Sequence, residues 1–330
     1  MRISKILSLA GAALVALGLW FSAAQAETLR FAHHHAVGGT VDKAANRFAE
    51  LVKEKSDGRI NVLVFPGGQL GQEREAYDLV NQGGIDVSLT STPLLSGAYP
   101  PMAVTSLPFA FKGWDHAREL YQGEFGQKLA KGMADNSKTV VLAFMHLGFR
   151  DLLFVDEAPT TLAEINGMRM RSPENIVWIR MFELLGTNPT PVTWGEVYSA
   201  MQTGIAQGLD SPPATALDMK FNEISKSLLK TNHMFGTMVF AMNQDRLAAF
   251  SADDRTLLRE AAVEAGDWSD REVAIPEEKA AYDRLLALGF SIVEPADPQE
   301  WRDAMAPLNG EIAERYEDAQ QFIDMVTAED

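Results

Sequence analysis

One nine-residue pattern occurs twice in the chain, and it constrains the fold more than any other feature. EAYDLVNQG at residues 75–83 is echoed by EVYSAMQTG at residues 196–204. In each copy an amphipathic helix ends at a glycine, an apolar strand follows, and the strand ends in a polar, proline-containing loop, at 91–93 and at 210–213. The repeat predicts two similar α/β lobes. The alternative is a chance similarity between two amphipathic helices, because nine residues form a short window.

Hydrophobic periodicity predicts the order of the other elements. Strands and helices alternate in the first part, as expected for βαβ units. The second strand is apolar enough to be covered on both faces. In chain order we predict a strand at 28–32, a helix at 41–52, a strand at 60–65, a helix at 72–81, strands at 85–89 and 234–242, a helix toward Trp268 that Pro276 kinks or restarts, a strand at 291–293 and a helical tail from 299.

The composition limits where the protein works and what it binds. Residues 1–26 have the charged start, the apolar run and the Ala-Gln-Ala ending of a secretory signal peptide, and no later segment is apolar enough for a membrane span. We therefore expect an exported protein without direct membrane insertion. The formal charge of -16 argues against nucleic acid as a partner. Cysteine is absent, which excludes disulfides, thiolate catalysis and cysteine-bound zinc.

Arg171 is the leading candidate for binding a ligand. It ends a short strand-like alternation just before Ser172 and Pro173, and its planar guanidinium can hold a carboxylate with two parallel hydrogen bonds. The alternative is a surface arginine paired with an acid. Ligands of open α/β sheets bind outside the carboxyl ends of the strands, so the loops of both lobes should face one cleft. Trp194 would either form a flat apolar wall there or pack in the core.

The histidines are the remaining candidates for chemistry. His33, His34 and His35 follow the first strand, and alternate side chains of a strand point to opposite faces, so the three cannot all bind one metal. A solvated strand end, or a hydrogen bond from one imidazole at the mouth of the cleft, is the expectation. We predict no metal site and no cofactor. An exported enzyme that uses His33 or His34 as a base stays open as an alternative.

Several motifs occur in an order that resembles one protein family. They are GGQLGQER at 67–74, SLPF at 106–109 with Phe111, GFR at 148–150, GMRMRSP at 167–173, and the segment 191–204 with Gly208. Together they resemble the solute-binding proteins of tripartite ATP-independent periplasmic (TRAP) transporters over nearly all of the exported chain. The resemblance implies an α/β, two-lobed periplasmic binding protein with a hinge, each lobe a mixed sheet flanked by helices, and a long helix spanning both lobes.

The resemblance also implies roles for individual residues. Arg171 would pair with the ligand carboxylate, Arg150 and Arg74 would supply further cations, and Trp194 would pack on the ligand. Where this family has a Gln-Glu-Asn-Pro run, the chain has Leu209, Asp210, Ser211 and Pro212. A serine is shorter than an asparagine and has one donor instead of two, and Leu209 is apolar. We therefore expect a less polar ligand, namely a keto, hydroxy or aromatic acid rather than a sugar acid.

The complete expectation is a periplasmic protein that captures an organic acid and delivers it to the membrane subunits of a TRAP permease. A ligand-sensing module that presents its closed form to a receptor is a further alternative. One lobe would comprise 27–148 plus about 236–275, the other 149–235 plus about 276–330, in a monomer. The predicted ligand-binding residues are Arg171, Arg150, Trp194, Arg74, Ser211, Asp210, His33, His34, Ser91 and Glu174.

Overall fold

The computed structural model describes residues 27–328, so the predicted signal peptide at 1–26 lies outside the described residues. The described chain contains one nine-stranded sheet with helices packed around it. The strands are Glu27–Ala32 (β1), Ile60–Phe65 (β2), Val87–Ser91 (β3), Thr139–Phe154 (β4), Arg169–Ser172 (β5), Asn188–Pro191 (β6), Gly208–Ser211 (β7), Ser227–Asn243 (β8) and Ser291–Val293 (β9).

The sheet has two halves that share two long strands. Its order is β2-β1-β3-β8-β4-β7-β5-β6, and β9 pairs with β8. We call β2, β1 and β3 the first half and β7, β5 and β6 the second half. Neighbouring strands within each half are parallel, whereas β3 pairs antiparallel with β8, β8 with β4, and β4 with β7. The long strands β4 and β8 therefore cross from one half to the other.

This topology directs the strand ends of both halves toward each other. β3 ends at Ser91 opposite Met238 of β8, while β7 ends at Ser211 opposite Asp151 of β4. Arg150, next to Asp151, pairs with Met234, so the two ends lie a few residues apart along β8. They point toward each other because β3 is antiparallel to β8 and β7 is parallel to it. The central stretch of the crossing strands thus forms the floor between the two halves.

Fourteen α-helices among residues 27–328 flank this sheet. They are Thr40–Lys55 (α1), Glu73–Asn81 (α2), Trp114–Gln122 (α3), Glu124–Asn136 (α4), Leu162–Ile165 (α5), Ile176–Leu184 (α6), Val197–Gln202 (α7), Pro213–Asp218 (α8), Gln244–Ala248 (α9), Ala252–Trp268 (α10), Ile275–Ala287 (α11), Pro298–Met305 (α12), Pro307–Arg315 (α13) and Ala319–Thr327 (α14).

A π-helical segment, Ser269–Ala274, joins α10 to α11 into one continuous long helix. α10 packs on α1 of the first half, and α11 packs on α8 and β9. Pro276 lies at the start of α11 and cannot donate a backbone hydrogen bond, which explains why the regular helical pattern is interrupted just before it. The helix was predicted to be kinked or restarted at Pro276, but it continues through this position and departs from the α-helical pattern only in the π-helical segment before it.

Two of the apolar clusters each support one half of the sheet. Phe31 of β1, Phe48 of α1 and Phe240 of β8 are fully buried and pack ring against ring, with centroids 5.6–5.9 Å apart. On the other side, Phe221 and Leu285 lie in a second cluster that includes residues of α7, β7 and α11. Burying such a side chain stabilises a fold by about 1.5–3 kcal/mol. A third cluster contains residues of α2 as well as of β5 and α6, so the two halves also share part of their core.

Most predicted elements are confirmed, and the differences have simple causes. β2 was expected to be covered on both faces, but it is the edge strand and Leu63 is 46% exposed. The strand predicted at 85–89 lies at Val87–Ser91. The strand predicted at 234–242 extends back to Ser227, because β4 pairs with it along its whole length. No helix among residues 27–328 is long and apolar enough to cross a membrane.

Gly148 lies where the crossing strands change register, opposite Gly236. Its φ is +91°, and an added Cβ would lie 2.8 Å from Oε1 of Glu278 and 3.0 Å from Cζ2 of Trp114. We expect Gly148→Ala to lower the free energy of unfolding by roughly 2–3 kcal/mol, measured by urea denaturation. Gly97→Ala is the matched control, because nothing lies within 4 Å of its added Cβ. Equal stability of the two variants would contradict this reading.

Candidate functional site

A cavity of about 530 Å³ lies where the strand ends of the two halves meet. The first half contributes the segment after β1, the start of α2 and the end of β3, and the second half contributes the end of β5 and the loop between β6 and α7. Leu147, Arg150, Phe235 and Thr237 of the crossing strands complete the lining. The convergence predicted from strand direction is therefore present.

Arg171, near the end of β5, is a buried cation in this cavity. Its side chain is held by Nε and Nη2, which donate to the carbonyl oxygen of Val192 at 3.0 and 2.8 Å. The guanidinium carbon lies 5.3 Å from the ring centroid of Trp194. The residue is 3% exposed, and no carboxylate of residues 27–328 lies within ion-pair distance. Burial lowers the pKa of Arg171 to about 10, which shows how strongly this environment disfavours an uncompensated charge.

Arg150 differs from Arg171 because its charge is already compensated. Its Nε lies 2.5 Å from Oδ2 of Asp210, and its Nη2 donates to the Asp210 carbonyl at 2.8 Å. The same carboxylate accepts a hydrogen bond of 2.9 Å from Nε1 of Trp178 and lies 3.7 Å from Nε2 of His233. Burial opposes ionisation of Asp210, but Arg150 and His233 together lower its pKa. Arg150 therefore lines the cavity with its charge already paired to Asp210.

The histidine segment has a different arrangement from the expected one. β1 ends at Ala32, so strand alternation does not extend to the histidines, and both His34 and His35 line the cavity with ring centroids 4.5 Å apart. His33 instead places Nε2 3.1 Å from Asp42. All three are buried, which corrects the expectation of a solvated strand end. Burial, followed by the nearby charges of His33 and Arg171, lowers the pKa of His34 to about 3.

The start of α2 supplies the polar rim of the first half. Oε1 of Glu73 accepts a hydrogen bond of 2.6 Å from the backbone N–H of Ser91, and its Oε2 lies 3.9 Å from Nε2 of His34. Gln72 is the N-cap residue of α2, and its backbone N–H donates to Oε2 of Glu75 at 2.9 Å, while Arg74 is exposed on the first turn. Three buried atoms of the lining have no hydrogen-bond partner among the described residues: His34 Nδ1, Gln72 Oε1 and Trp194 Nε1. All three atoms are fully buried, so they are unpaired polar groups behind the cavity surface.

The predicted site residues divide into two groups. Those that line the cavity are Arg171, Arg150, Arg74, Trp194, His34, Ser91 and Glu174. Three others do not line it: Asp210 lies behind Arg150, the Ser211 hydroxyl donates to the carbonyl of Pro212, and His33 contacts Asp42. Leu209 is buried in the core of the second half. The argument that Ser211 and Leu209 make the site less polar therefore has no support in the geometry.

Sequence reasoning missed several lining residues, among them His35, Gln72, Glu73, Asn175, Phe235 and Thr237. Glu73 and Gln72 precede Arg74 directly in the GGQLGQER motif, which was a usable signal. Phe235 and Thr237 had none, because they belong to a long apolar strand whose central stretch faces the cleft. No group of three or more His, Asp or Glu side chains within 27–328 is arranged to hold a metal ion.

Comparison with known proteins assigns the chain to a protein family. Residues 31–316 match the profile described as bacterial extracellular solute-binding protein, family 7. The chain belongs to this family. A solute-binding protein of Roseobacter denitrificans is 30% identical over 82% of each chain. A TRAP periplasmic solute-binding protein of the same species, solved with bound β-D-glucuronate, is 27% identical with a TM-score of 0.88 over 92% of this chain and 100% of the other.

A further solved relative extends the range of ligands. A TRAP periplasmic solute-binding protein of Polaromonas, bound to D-erythronate, is 26% identical with a TM-score of 0.87 over 92% of this chain and 98% of the other. Proteins of this family are two-lobed, periplasmic solute-binding proteins of TRAP transporters, as the sequence motifs predicted. Its members are transport proteins and not enzymes, so the hypothesis of an exported enzyme with His33 or His34 as base is wrong.

The depressed pKa of His34 has a consequence for stability. The unfolded chain binds a proton at His34 below pH 6.5, whereas the folded protein does so only near pH 3. Lowering the pH through this window therefore favours the unfolded state, by about 1.4 kcal/mol per pH unit. Relative to His34→Gln, the wild type should lose about 2 kcal/mol between pH 6.5 and about pH 5, measured by urea denaturation. A constant difference between the two proteins would contradict a neutral His34.

Proposed function

We propose that the cavity binds an organic acid and that Arg171 holds its carboxylate. The observation that carries the proposal is the buried guanidinium, which has no acidic partner among residues 27–328. A guanidinium has five N–H donors in a fixed plane, and Val192 engages only Nε and one N–H of Nη2. A carboxylate seated on the remaining donors would compensate the charge and make two parallel hydrogen bonds.

The lining favours a monocarboxylate with hydroxyl groups. It contains four glutamates and three arginines, with neutral His34 and His35, so it offers no net positive charge for a second carboxylate. The lining also contains neutral polar side chains, among them Gln72, Asn175 and Thr237, which are suited to ligand hydroxyls. Bound glucuronate and erythronate in the two solved relatives support this class. We therefore replace the expected less polar acid by a hydroxylated, sugar-acid-like ligand.

The lobes of this binding protein are proposed to comprise 27–148 plus about 236–275 and 149–235 plus about 276–330. Gly148 opposite Gly236 would lie at the hinge in β4 and β8, and the long helix would span both lobes. Closure around the ligand is the transition expected of such a hinge. We propose that the protein acts as a monomer that delivers the acid to the TRAP permease. The alternative hypothesis is that a receptor, and not the permease, binds the same surface of the closed form.

A thermal-shift screen tests the proposed ligand class. D-glucuronate, D-galacturonate, D-erythronate, pantoate and malate would be compared with the neutral sugar D-glucose. A ligand at 100 times its Kd stabilises the folded state by about 2.7 kcal/mol, which corresponds to roughly 5 °C in a domain of this size. We expect a shift with hydroxylated monocarboxylates and none with glucose. A shift with glucose as large as that with glucuronate, or no shift with any acid, would contradict the proposal.

A further inference from the structure

A carboxylate of the second half caps a helix of the first half. α1 begins at Thr40, and its N-cap residue is Gly39, which has no side chain to accept a hydrogen bond. Oδ2 of Asp218 accepts one from the Thr40 backbone N–H at 3.2 Å. Asp218 ends α8, 178 residues further along the chain. The capping group of α1 therefore comes from the opposite side of the cleft.

The physical role of such a contact is well defined. The first N–H groups of a helix have no partner within the helix, and a side-chain oxygen at the N-cap position normally accepts from them. A carboxylate also interacts favourably with the positive end of the helix dipole. Asp42, on the first turn of α1, accepts from the N–H of Gly38, so the turn before the helix is held from within its own half. The Thr40 amide depends on Asp218.

Gly39 is fitted to this contact. Its φ is -74°, which any residue can adopt, but an added Cβ would lie 2.6 Å from Oδ2 of Asp218. The methyl group of an alanine at this position would clash with Asp218 and act as a wedge between the two halves, while the alanine backbone stays unstrained. Near Asp218, Nζ of Lys43 in α1 lies 4.0 Å from Oε1 of Glu277 in α11. Neither Asp218 nor Gly39 lines the cavity, so an effect on ligand affinity must act through closure.

We propose that Asp218 is a latch that stabilises the closed form by capping α1 across the cleft. The proposal rests on the proposed function, because it requires that the two halves separate when the ligand leaves. Opening breaks the Thr40 to Asp218 hydrogen bond and exposes both groups to water. Asp218 is then a positioning residue for ligand retention. Its contribution falls mainly on the dissociation rate, because the ligand enters the open form, in which the contact is absent, and leaves only after the closed form has opened. The same contact also stabilises the closed fraction of the ligand-free protein.

The first test is Asp218→Ala, studied by stopped-flow kinetics with the acid identified by thermal shift. Loss of a helix cap corresponds to about 5-fold in an equilibrium constant, so we expect dissociation about 5-fold faster with an unchanged association rate. Asp218→Asn keeps an acceptor oxygen and should recover part of the loss. Identical dissociation rates in the wild type and Asp218→Ala would overturn the latch.

Gly39→Ala provides an independent variant and a double-mutant cycle. The wedge should also accelerate dissociation about 5-fold in the wild-type background, because Asp218 must move away. In the Asp218→Ala background the wedge meets no carboxylate and should have little further effect, so the two changes are coupled. Additive effects of the two substitutions would show that Gly39 and Asp218 act separately and would overturn the proposed contact.

Asp297→Ala is the matched control, because Asp297 caps α12 by accepting from Gln299 and Glu300 within one segment. It should lower unfolding stability and leave the dissociation rate unchanged.

The absence of cysteine allows a single dye pair at Leu63→Cys and Ile205→Cys, two exposed positions in opposite halves. Without ligand, Asp218→Ala should increase the mean dye separation. An unchanged separation would count against the latch even if no acid binds, whereas failure of the wild type to bind any acid contradicts only the proposed function.

Discussion

Replacing Arg171 with alanine is expected to weaken ligand binding by roughly 100- to 1,000-fold. Hydrogen bonds to a charged group contribute about 1.5–3 kcal/mol each, and removing one partner of a buried pair costs about 3–5 kcal/mol. Arg171 is 3% exposed and has no acidic partner among the described residues, so the ligand carboxylate would be left without a counter-charge in the variant. Isothermal titration with the acid selected by thermal shift measures the change.

Arg171→Lys separates charge from geometry. A lysine keeps the positive charge but cannot make two parallel hydrogen bonds, so this variant should bind more weakly than the wild type and more tightly than Arg171→Ala. The ligand-free Arg171→Ala protein should unfold at a temperature close to that of the wild type, because the change removes a desolvated charge along with two hydrogen bonds to Val192. Unchanged affinity in Arg171→Ala would contradict the assignment of the anchor.

Replacing Asp210 with alanine should lower the free energy of unfolding by about 3–5 kcal/mol, because it leaves Arg150 as an uncompensated charge in the protein. Asp210 is fully buried and also accepts the indole N–H of Trp178. Its contacts therefore hold two cavity-lining side chains in place. Chemical denaturation of the ligand-free protein measures the loss of stability, and titration should show weakened binding in parallel.

Two variants serve as controls for Asp210→Ala. Asp210→Asn keeps an acceptor for Trp178 but removes the charge opposite Arg150, so an intermediate loss of stability is expected. Asp156→Ala removes an exposed carboxylate that pairs with Lys226 at 3.4 Å, and exposed pairs contribute about 0–1 kcal/mol. A loss of stability in Asp210→Ala no larger than that in Asp156→Ala would contradict the role of the buried cluster.

The fold and one anchor residue could be predicted from the sequence because their signals are local. The bounds of β2 and β9 follow from apolar runs alone, and the repeated helix, glycine and strand pattern predicts two similar α/β halves. Arg171 follows from its place at a strand end before Pro173 and from the resemblance of the motifs around it. These signals depend on residues within a few positions of each other, so no tertiary information is needed.

Other features depend on contacts between distant segments. The pairing of Arg150 with Asp210, and the cap that Asp218 provides for α1, join residues 60 and 178 positions apart. His34 and His35 face the cavity because β1 ends at Ala32 and the chain leaves the sheet there, which strand periodicity does not reveal. Ser211 was predicted to face the ligand from its place in the motif, yet it is buried behind the lining.

Titration of the selected acid against its primary amide tests the central claim most directly. The two molecules have the same shape and hydroxyl groups, but only the acid carries the negative charge that would compensate Arg171. We expect the amide to bind at least 100-fold more weakly, because a neutral group in that position leaves the buried guanidinium unpaired. Equal affinity of the acid and the amide would contradict an anion site at Arg171.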